Sequence, residues 1–200
     1  MGNVRIPVKE SSLKKKEKII DVGFRLMCEK GYHNVTCIDI AAAAGVSTGI
    51  IYQYFKDKLD IFVAGANKHM KEIMFPMLDI LDNVTITRNN FEKVLKQIIE
   101  ETINVHTLTK NAHQELMSMS CLDKDVFAIF SSNEIAVTEK FIAKFPERPN
   151  LKERVHLMIH LIDNVSHEII YHQHEDFNYN YMIDETINLI EYMMEDIYED

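Results

Sequence analysis

At 200 residues, with 46% hydrophobic and 26% charged side chains, the chain has room for one large domain or two small ones around a real core. The absence of any run of 18 apolar residues predicts no transmembrane helix. The opening MGNVRIPVKESSLKKKEK lacks the apolar centre of a secretory leader, and Ile6 stands where N-myristoylation needs Ser or Thr. Three cysteines, odd in number and widely spaced, suit a reducing cytoplasm better than a disulfide framework, and no zinc pattern surrounds them. The net charge of −9 conceals an asymmetry: residues 1–71 carry twelve Lys and Arg against seven Asp and Glu, while residues 72–200 carry ten against twenty-four. A basic front and an acidic back suggest two functional halves, of which only the first suits a polyanion.

The chain reads as all-α, about nine helices, because six glycines and four prolines are its only strong punctuation and alternating strand patterns are scarce. Ser11 or Ser12 is expected to cap a first helix running to about Lys30, with Ile19, Ile20, Phe24 and Met27 on one side and Gly31 at its end. Thr36 caps a short second helix and Asp39 sits at the reciprocal position of a capping box. Gly45 ends it, Ser47 caps a third helix to about Phe55, and Asp57 caps a fourth with Leu59, Phe62, Val63 and Ala66 at helical spacing.

Ala44-Gly45-Val46 is therefore a tight turn between two short helices, with Gly45 giving backbone freedom, Val46 filling the corner and Ala41 permitting close approach. This is a helix-turn-helix, a unit that places its second helix in the DNA major groove. The exposed face of that helix carries Thr48, Gly49, Gln53 and Tyr52, and its C-terminal end presents Tyr54, Lys56 and Lys58. Hydroxyls and amines suit phosphate oxygens, Thr48 and Gln53 have groups able to reach base edges, and the helix starts at Thr36 and Ser47 add backbone N–H donors. Ile38, Ile40, Ile50, Ile51 and Phe55 are assigned to the core, and Tyr32 to the core with its hydroxyl at the rim. Lys14, Lys15 and Lys16 are either phosphate contacts or a solvated helix face.

The stretch GYHNVTCIDIAAAAGVSTGIIYQYFKDKLDIF resembles the DNA-binding signature of the TetR family of bacterial transcriptional regulators. The shared elements are Gly31-Tyr32, Thr36, Ile40-Ala41, Ala44-Gly45-Val46-Ser47, Gly49, Tyr52, Tyr54-Phe55 and Lys58, and the likeness covers roughly residues 12–65. It implies that Thr36, Tyr54 and Lys58 hold phosphates and that Thr48, Gly49 and Tyr52 lie nearest the bases. Thr48 and Leu59 depart from the pattern, since many members carry a long basic group at the first position and Asp or Glu at the second. The resemblance further implies an effector-binding half that dimerises through its last two helices.

Residues 1–66 are thus expected to form the DNA-binding domain and 67–200 the effector-binding and dimerisation domain. In the second, Pro76 must bend or end the fourth helix, with Phe75 and Met77 flanking a bendable joint. Asn89 or Asn90 caps a fifth helix to about Thr107, a sixth lies near 111–119, and Asp123 or Asp125 opens a seventh that ends before Pro146. An eighth spans about 151–173 and a ninth about 181–197. His156, His160, His167 and His174 share one stripe of the eighth helix with Asp163, opposite an apolar side, so the stripe is expected to face solvent or a subunit contact. Four ligands on one straight helix cannot converge on an ion, and His167-Glu168 with His172 misses the HExxH spacing, so no metal and no cofactor are expected. His106, Met117, Met119, Phe127, Phe130 and Tyr171 are candidate liners of an effector pocket, with ordinary core as the competing assignment. The resulting reading is a cytoplasmic, homodimeric, ligand-responsive regulator, a repressor released from a palindromic operator by a small apolar or cationic effector, and not an enzyme. The alternatives are an effector-independent DNA binder, an activator, or an enzyme-like C-terminal domain, the last unsupported by any nucleophile elbow or phosphate-cradling loop.

Overall fold

The computed structural model describes residues 9–198; Ile6 and the rest of the N-terminal segment lie outside the described residues, as do the side chains of Met74, Phe75 and Tyr198. Among the described residues there are nine α-helices and no strand: α1 Glu10–Lys30, α2 Cys37–Ala44, α3 Thr48–Tyr54, α4 Lys58–Asn83, α5 Phe91–Leu108, α6 Lys110–Leu122, α7 Lys124–Ile142, α8 Leu151–Tyr171 and α9 Tyr179–Met193. A short 3-10 turn, Tyr32–Asn34, precedes α2, and another, Glu195–Tyr198, follows α9.

The helix ends follow from local chemistry. The α2 capping box forms in full: the Asp39 N–H donates to Thr36 Oγ1 at 3.2 Å and the Thr36 N–H to Asp39 Oδ2 at 2.8 Å. Asp57 Oδ1 accepts from the N–H groups of Leu59 and Asp60 at the start of α4, and Asp123 Oδ1 does the same for Asp125 and Val126 in α7. Gly31 and Gly45 take the positive φ values, 85° and 69°, expected of residues that stop helices. Two expectations are corrected and a third is narrowed. The N-cap of α1 is Lys9, so Ser11 and Ser12 lie inside its first turn. Asn90 is the N-cap residue of α5, but its side chain turns back to bond the backbone of Thr87 and Thr85 rather than the helix. Of the two outcomes expected at Pro76, a bend or an end, the end is excluded, because the fourth helix runs through Pro76 to Asn83.

The chain divides into two compact units: residues up to Lys71 together with Lys110–Phe130, and Glu72–Thr109 together with Ser131 onward. This differs from a single break after residue 66. The reason is that α6 packs on α1, burying Leu116 and Met119 in the first unit, and the Tyr32 N–H donates to Glu115 Oε1 at 2.6 Å. The core of this unit gathers Ile19, Phe24, Met27, Ile40, Ile51 and Phe62. The second unit is built on α5 packed against α8 and α9, around Leu95, Ile98, Ile99, Val155, Met158 and Ile190.

In the first unit α1 and α4 meet where α4 has no side chain: a Cβ on Gly65 would stand 2.4 Å from Cβ and Cγ of Phe24. Alanine normally favours a helix over glycine by roughly 1 kcal/mol. Here the clash involves the root of a buried aromatic side chain, which cannot swing aside, so overpacking wins. Gly65→Ala is expected to destabilise the protein by about 1–3 kcal/mol, read as a lower thermal midpoint; a raised midpoint would contradict the contact.

Candidate nucleic-acid interface

The turn between α2 and α3 is closed by backbone bonds, Gly45 N–H to Ala42 O at 3.2 Å and Val46 N–H to Ala41 O at 3.0 Å. Ala41, Ala44 and Ile51 are buried beneath it, which leaves α3 with one inner and one outer side. The outer side carries Gly49 and Tyr52, both exposed, with Thr48 and Gln53 half-buried beside them. Ser47 is exposed at the N-cap of α3 and makes no side-chain cap bond. Thr36 is exposed at the start of α2, its hydroxyl donating to Asp39 Oδ2 at 2.5 Å, and those Thr36 bonds hold the Asp39 carboxyl below the usual carboxylate range. The neighbouring Cys37 thiol pushes the Tyr52 phenol up from its ordinary value.

Three residues lie elsewhere than the sequence suggested. Tyr54 is 6% exposed, because it stands three residues after Ile51 on the inner side of α3 and packs with it. Lys58 does not extend freely from the end of the motif. Its Nζ donates to the carbonyls of Tyr32 at 2.6 Å and Val35 at 2.8 Å and lies 4.3 Å over the centre of the Tyr32 ring. It thereby pins the segment leading into α2 to the start of α4, a role for which sequence gives no signal, since its partners are carbonyls 23 and 26 residues away. Ile38, assigned to the core, is 68% exposed. It lies two positions from the fully buried Ile40, hence on the opposite side of α2. Lys16 places its ammonium 5.5 Å over the Phe55 ring, and Lys14 pairs with Glu10 on the exposed face of α1.

The proposed pocket liners are drawn from both units of the chain. Met117, Met119, Phe127 and Phe130 belong to the first unit, His106 and Tyr171 to the second. Met117 and Phe127 are 41% and 59% exposed, whereas Met119 is buried. A recess on the second unit, lined by Arg88, Phe91, Glu191, Tyr192 and Glu195, contains none of the six. The histidine stripe also divides. His156 and His160 stack edge to face with ring centres 4.5 Å apart, and Thr138 Oγ1 lies 3.2 Å from His156 Nδ1. Only His174 and His172 are exposed, grouped about Glu168. His167 is turned inward, its side chain 14% exposed, beside Asp163 and the buried His106. Of the two settings expected for the stripe, solvent or a subunit contact, His167 does not take the first. Burial pushes the His167 imidazole down against the opposing pull of Asp163, and burial, helped by Asp163, pushes the Tyr171 phenol up to about 12.

A left-handed glycine turn and an outward polar face on the second of two short helices make up a helix-turn-helix. Residues 19–64 match the model of the bacterial regulatory proteins of the tetR family. The likeness to that family is confined to this N-terminal stretch. It is 49% identical over 47 residues to the HTH-type transcriptional regulator HbdR of Aromatoleum sp. (strain CIB), covering 24% of this chain and 20% of that one. It is 28% identical over 99 residues to the fatty acid metabolism regulator protein of Bacillus subtilis (strain 168), covering 50% and 51%. The chain thus spans about half or less of the curated relatives it matches. Its fold is shared with a transcriptional regulator from Saccharomonospora viridis crystallised with choline, at a TM-score of 0.64 and 17% identity over 90% of this chain and 96% of that one. These relatives are regulators, none an enzyme.

The placement of Ile38 and Lys58 separates their effects on stability. Ile38→Ala is expected to leave the thermal midpoint unchanged to within about 0.5 kcal/mol, as for a surface position. Lys58→Ala is expected to cost about 1–3 kcal/mol by freeing two carbonyls from a charged donor. Denaturant titration of both variants checks the pair, and equal losses would contradict the assignment.

Proposed function

We propose that the protein is a cytoplasmic, ligand-responsive transcriptional regulator that represses by occupying a palindromic operator as a homodimer. The observation that carries the reading is the outward face of α3, with Thr48, Gly49, Tyr52 and Gln53 together on a helix held by the Gly45 turn. In this reading Thr48 and Gln53 address base edges, and Thr36, Ser47 and the free N–H groups at the start of α2 take phosphates. Lys58 acts from behind by fixing the approach to α2. Affinity should fall steeply with salt through counterion release. Thr48→Ala is expected to relax sequence preference, whereas Lys58→Ala weakens all duplexes alike. Gel-shift titrations on a duplex selected from a random pool, and on scrambled DNA, decide it; unchanged discrimination in Thr48→Ala would overturn the base-reading role.

Dimerisation is assigned to α8 and α9, through the residues their own core does not use. Ile187 and Ile190 are 3% and 0% exposed within the second unit, so they serve its interior. Leu157 on α8 and Leu189 and Tyr192 on α9 are 55%, 56% and 79% exposed, and their burial against a second copy supports a four-helix contact. Leu157→Glu with Leu189→Glu is expected to give a folded monomer, whereas Ile190→Glu unfolds the chain. A wild type that sediments as a monomer at micromolar concentration would sink the dimer.

The effector is proposed to be small and apolar or cationic. The charge of residues 72–200, ten basic against twenty-four acidic groups, disfavours a polyanion, and the choline bound by the Saccharomonospora viridis regulator is a precedent for a cation. Effector and operator must oppose each other reciprocally: whatever factor the effector takes from DNA affinity, DNA takes from effector affinity. Calorimetry of a candidate such as choline with and without operator tests the coupling. Equal affinities in both titrations would show a bound molecule that is no inducer.

A further inference from the structure

The second unit carries a pair of side chains that DNA binding does not use. His156 and His160 stand one turn apart on α8, both half-buried, with their Nε2 atoms 3.1 Å from each other. The protons of this pair are set from α7. The buried Thr138 hydroxyl donates its single hydrogen to the carbonyl oxygen of Glu134 at 2.8 Å, so toward His156 Nδ1, 3.2 Å away, it can only accept. Nδ1 of His156 is therefore the N–H donor, and Nε2 of the neutral ring keeps a bare lone pair aimed at His160. In the neutral pair His160 donates its own Nε2–H to that lone pair. Moving the His160 proton from Nε2 to Nδ1 is a change of tautomer without change of charge, and it leaves two lone pairs converging from successive turns. Two nitrogens each about 2.0–2.1 Å from one ion stand roughly 2.9 Å apart at a square corner and roughly 3.3 Å apart in a tetrahedron. The observed 3.1 Å lies between the two. The Thr138 hydroxyl holds the tautomer and orientation of His156 through its other nitrogen, as the outer partners of metal-bound histidines do.

We propose that His156 Nε2 and His160 Nε2 form a two-point chelate for a divalent late transition-metal ion, Cu2+ most tightly and Ni2+ or Zn2+ less so. An imidazole pair suits these ions rather than Mg2+ or Ca2+, which take oxygen donors, and the order follows the general rise in affinity toward Cu2+. Among the described residues no third His, Cys, Asp or Glu joins the two within reach of one ion, so the chain supplies two ligands and water the others. Both residues keep part of their surface in solvent, from which the ion and its water arrive. An ion that bridges successive turns of α8 binds the folded helix better than the unfolded chain, and so stabilises the fold. Four histidines along a straight helix cannot surround an ion, but two of them one turn apart can share one. What the sequence withholds is Thr138, 18 residues before His156, which settles where the proton sits.

Metal ion binding at this pair stands or falls apart from the DNA-binding reading. Metal-free full-length protein is titrated with Cu2+, and separately with Ni2+, by calorimetry and by thermal midpoint. The expected result is a saturable step that raises the midpoint and that loses at least about tenfold in affinity in His156→Gln and in His160→Gln. Thr138→Val keeps the shape of the side chain but removes the acceptor, and is expected to weaken the step by about tenfold through His156. Circular dichroism confirms the fold of each variant. His172→Gln and His174→Gln, which alter the exposed histidines about Glu168, should leave the step unchanged. In the wild type itself, substoichiometric Cu2+ should broaden the ring resonances of His156 and His160 before those of the other histidines, a readout that needs no variant. The site is overturned by an absence of saturable binding, by equal affinities in wild type and both histidine variants, or by broadening that begins at other histidines.

Discussion

The N-terminal unit depends on the absence of two side chains. At Gly23 an added Cβ would stand 2.8 Å from Cγ2 of Ile61 and 3.1 Å from Cγ2 of Ile40, and at Gly65 it would run into Phe24. Helices α1, α2 and α4 converge on these bare positions, and only because they converge can Ile19, Ile40, Ile61 and Phe62 be fully buried together. The helix-turn-helix is too short to hold itself: α2 has eight residues and α3 seven, below the length at which an isolated helix persists in water. Its geometry is borrowed from the α1–α4 pair beneath it and from the Lys58 ammonium that ties the entry of α2 to the start of α4. The outward face of α3 is therefore positioned by packing on its inner face, not by its own helical propensity.

What was legible in the sequence was the punctuation. The capping box at Thr36 and Asp39, the left-handed Gly45 and the Asp57 cap depend on contacts within four residues, so residue type at fixed spacing decides them. Sequence failed where the choice depends on a distant partner. Ile38 and Ile40 are equally apolar and lie on opposite sides of α2; only the core beneath decides which is buried. The same ambiguity separates Ile187 and Ile190 from Leu189 on α9. Lys58 reads as a surface cation until its two carbonyl partners are known. Pro76 reads as a bend or an end, and the helix continues for seven residues beyond it.

The histidine-rich helix makes the same point for electrostatics. Periodicity correctly sets His156, His160, Asp163 and His167 on one side of α8, but a helical stripe need not meet a uniform environment. Its N-terminal pair meets each other and Thr138; the next two residues meet the buried end of α5. The identical residue type thus acquires different partners within three turns of one helix.

The first unit is discontinuous in the chain, and this orders the events of synthesis. Residues up to Lys71 emerge first, but Leu116, Met119, Val126 and Ile129 belong to the same unit and emerge after all of α5. The bond from the Tyr32 N–H to Glu115 closes a loop of 83 residues, a long-range contact of the kind that slows folding. Until α6 leaves the ribosome, the face of α1 that it covers stays open to water or to chaperones. A nascent chain therefore cannot finish its first unit before most of the 130 residues that contain it have been made, so a prematurely terminated product ending near residue 66 would carry α3 without the whole of its support.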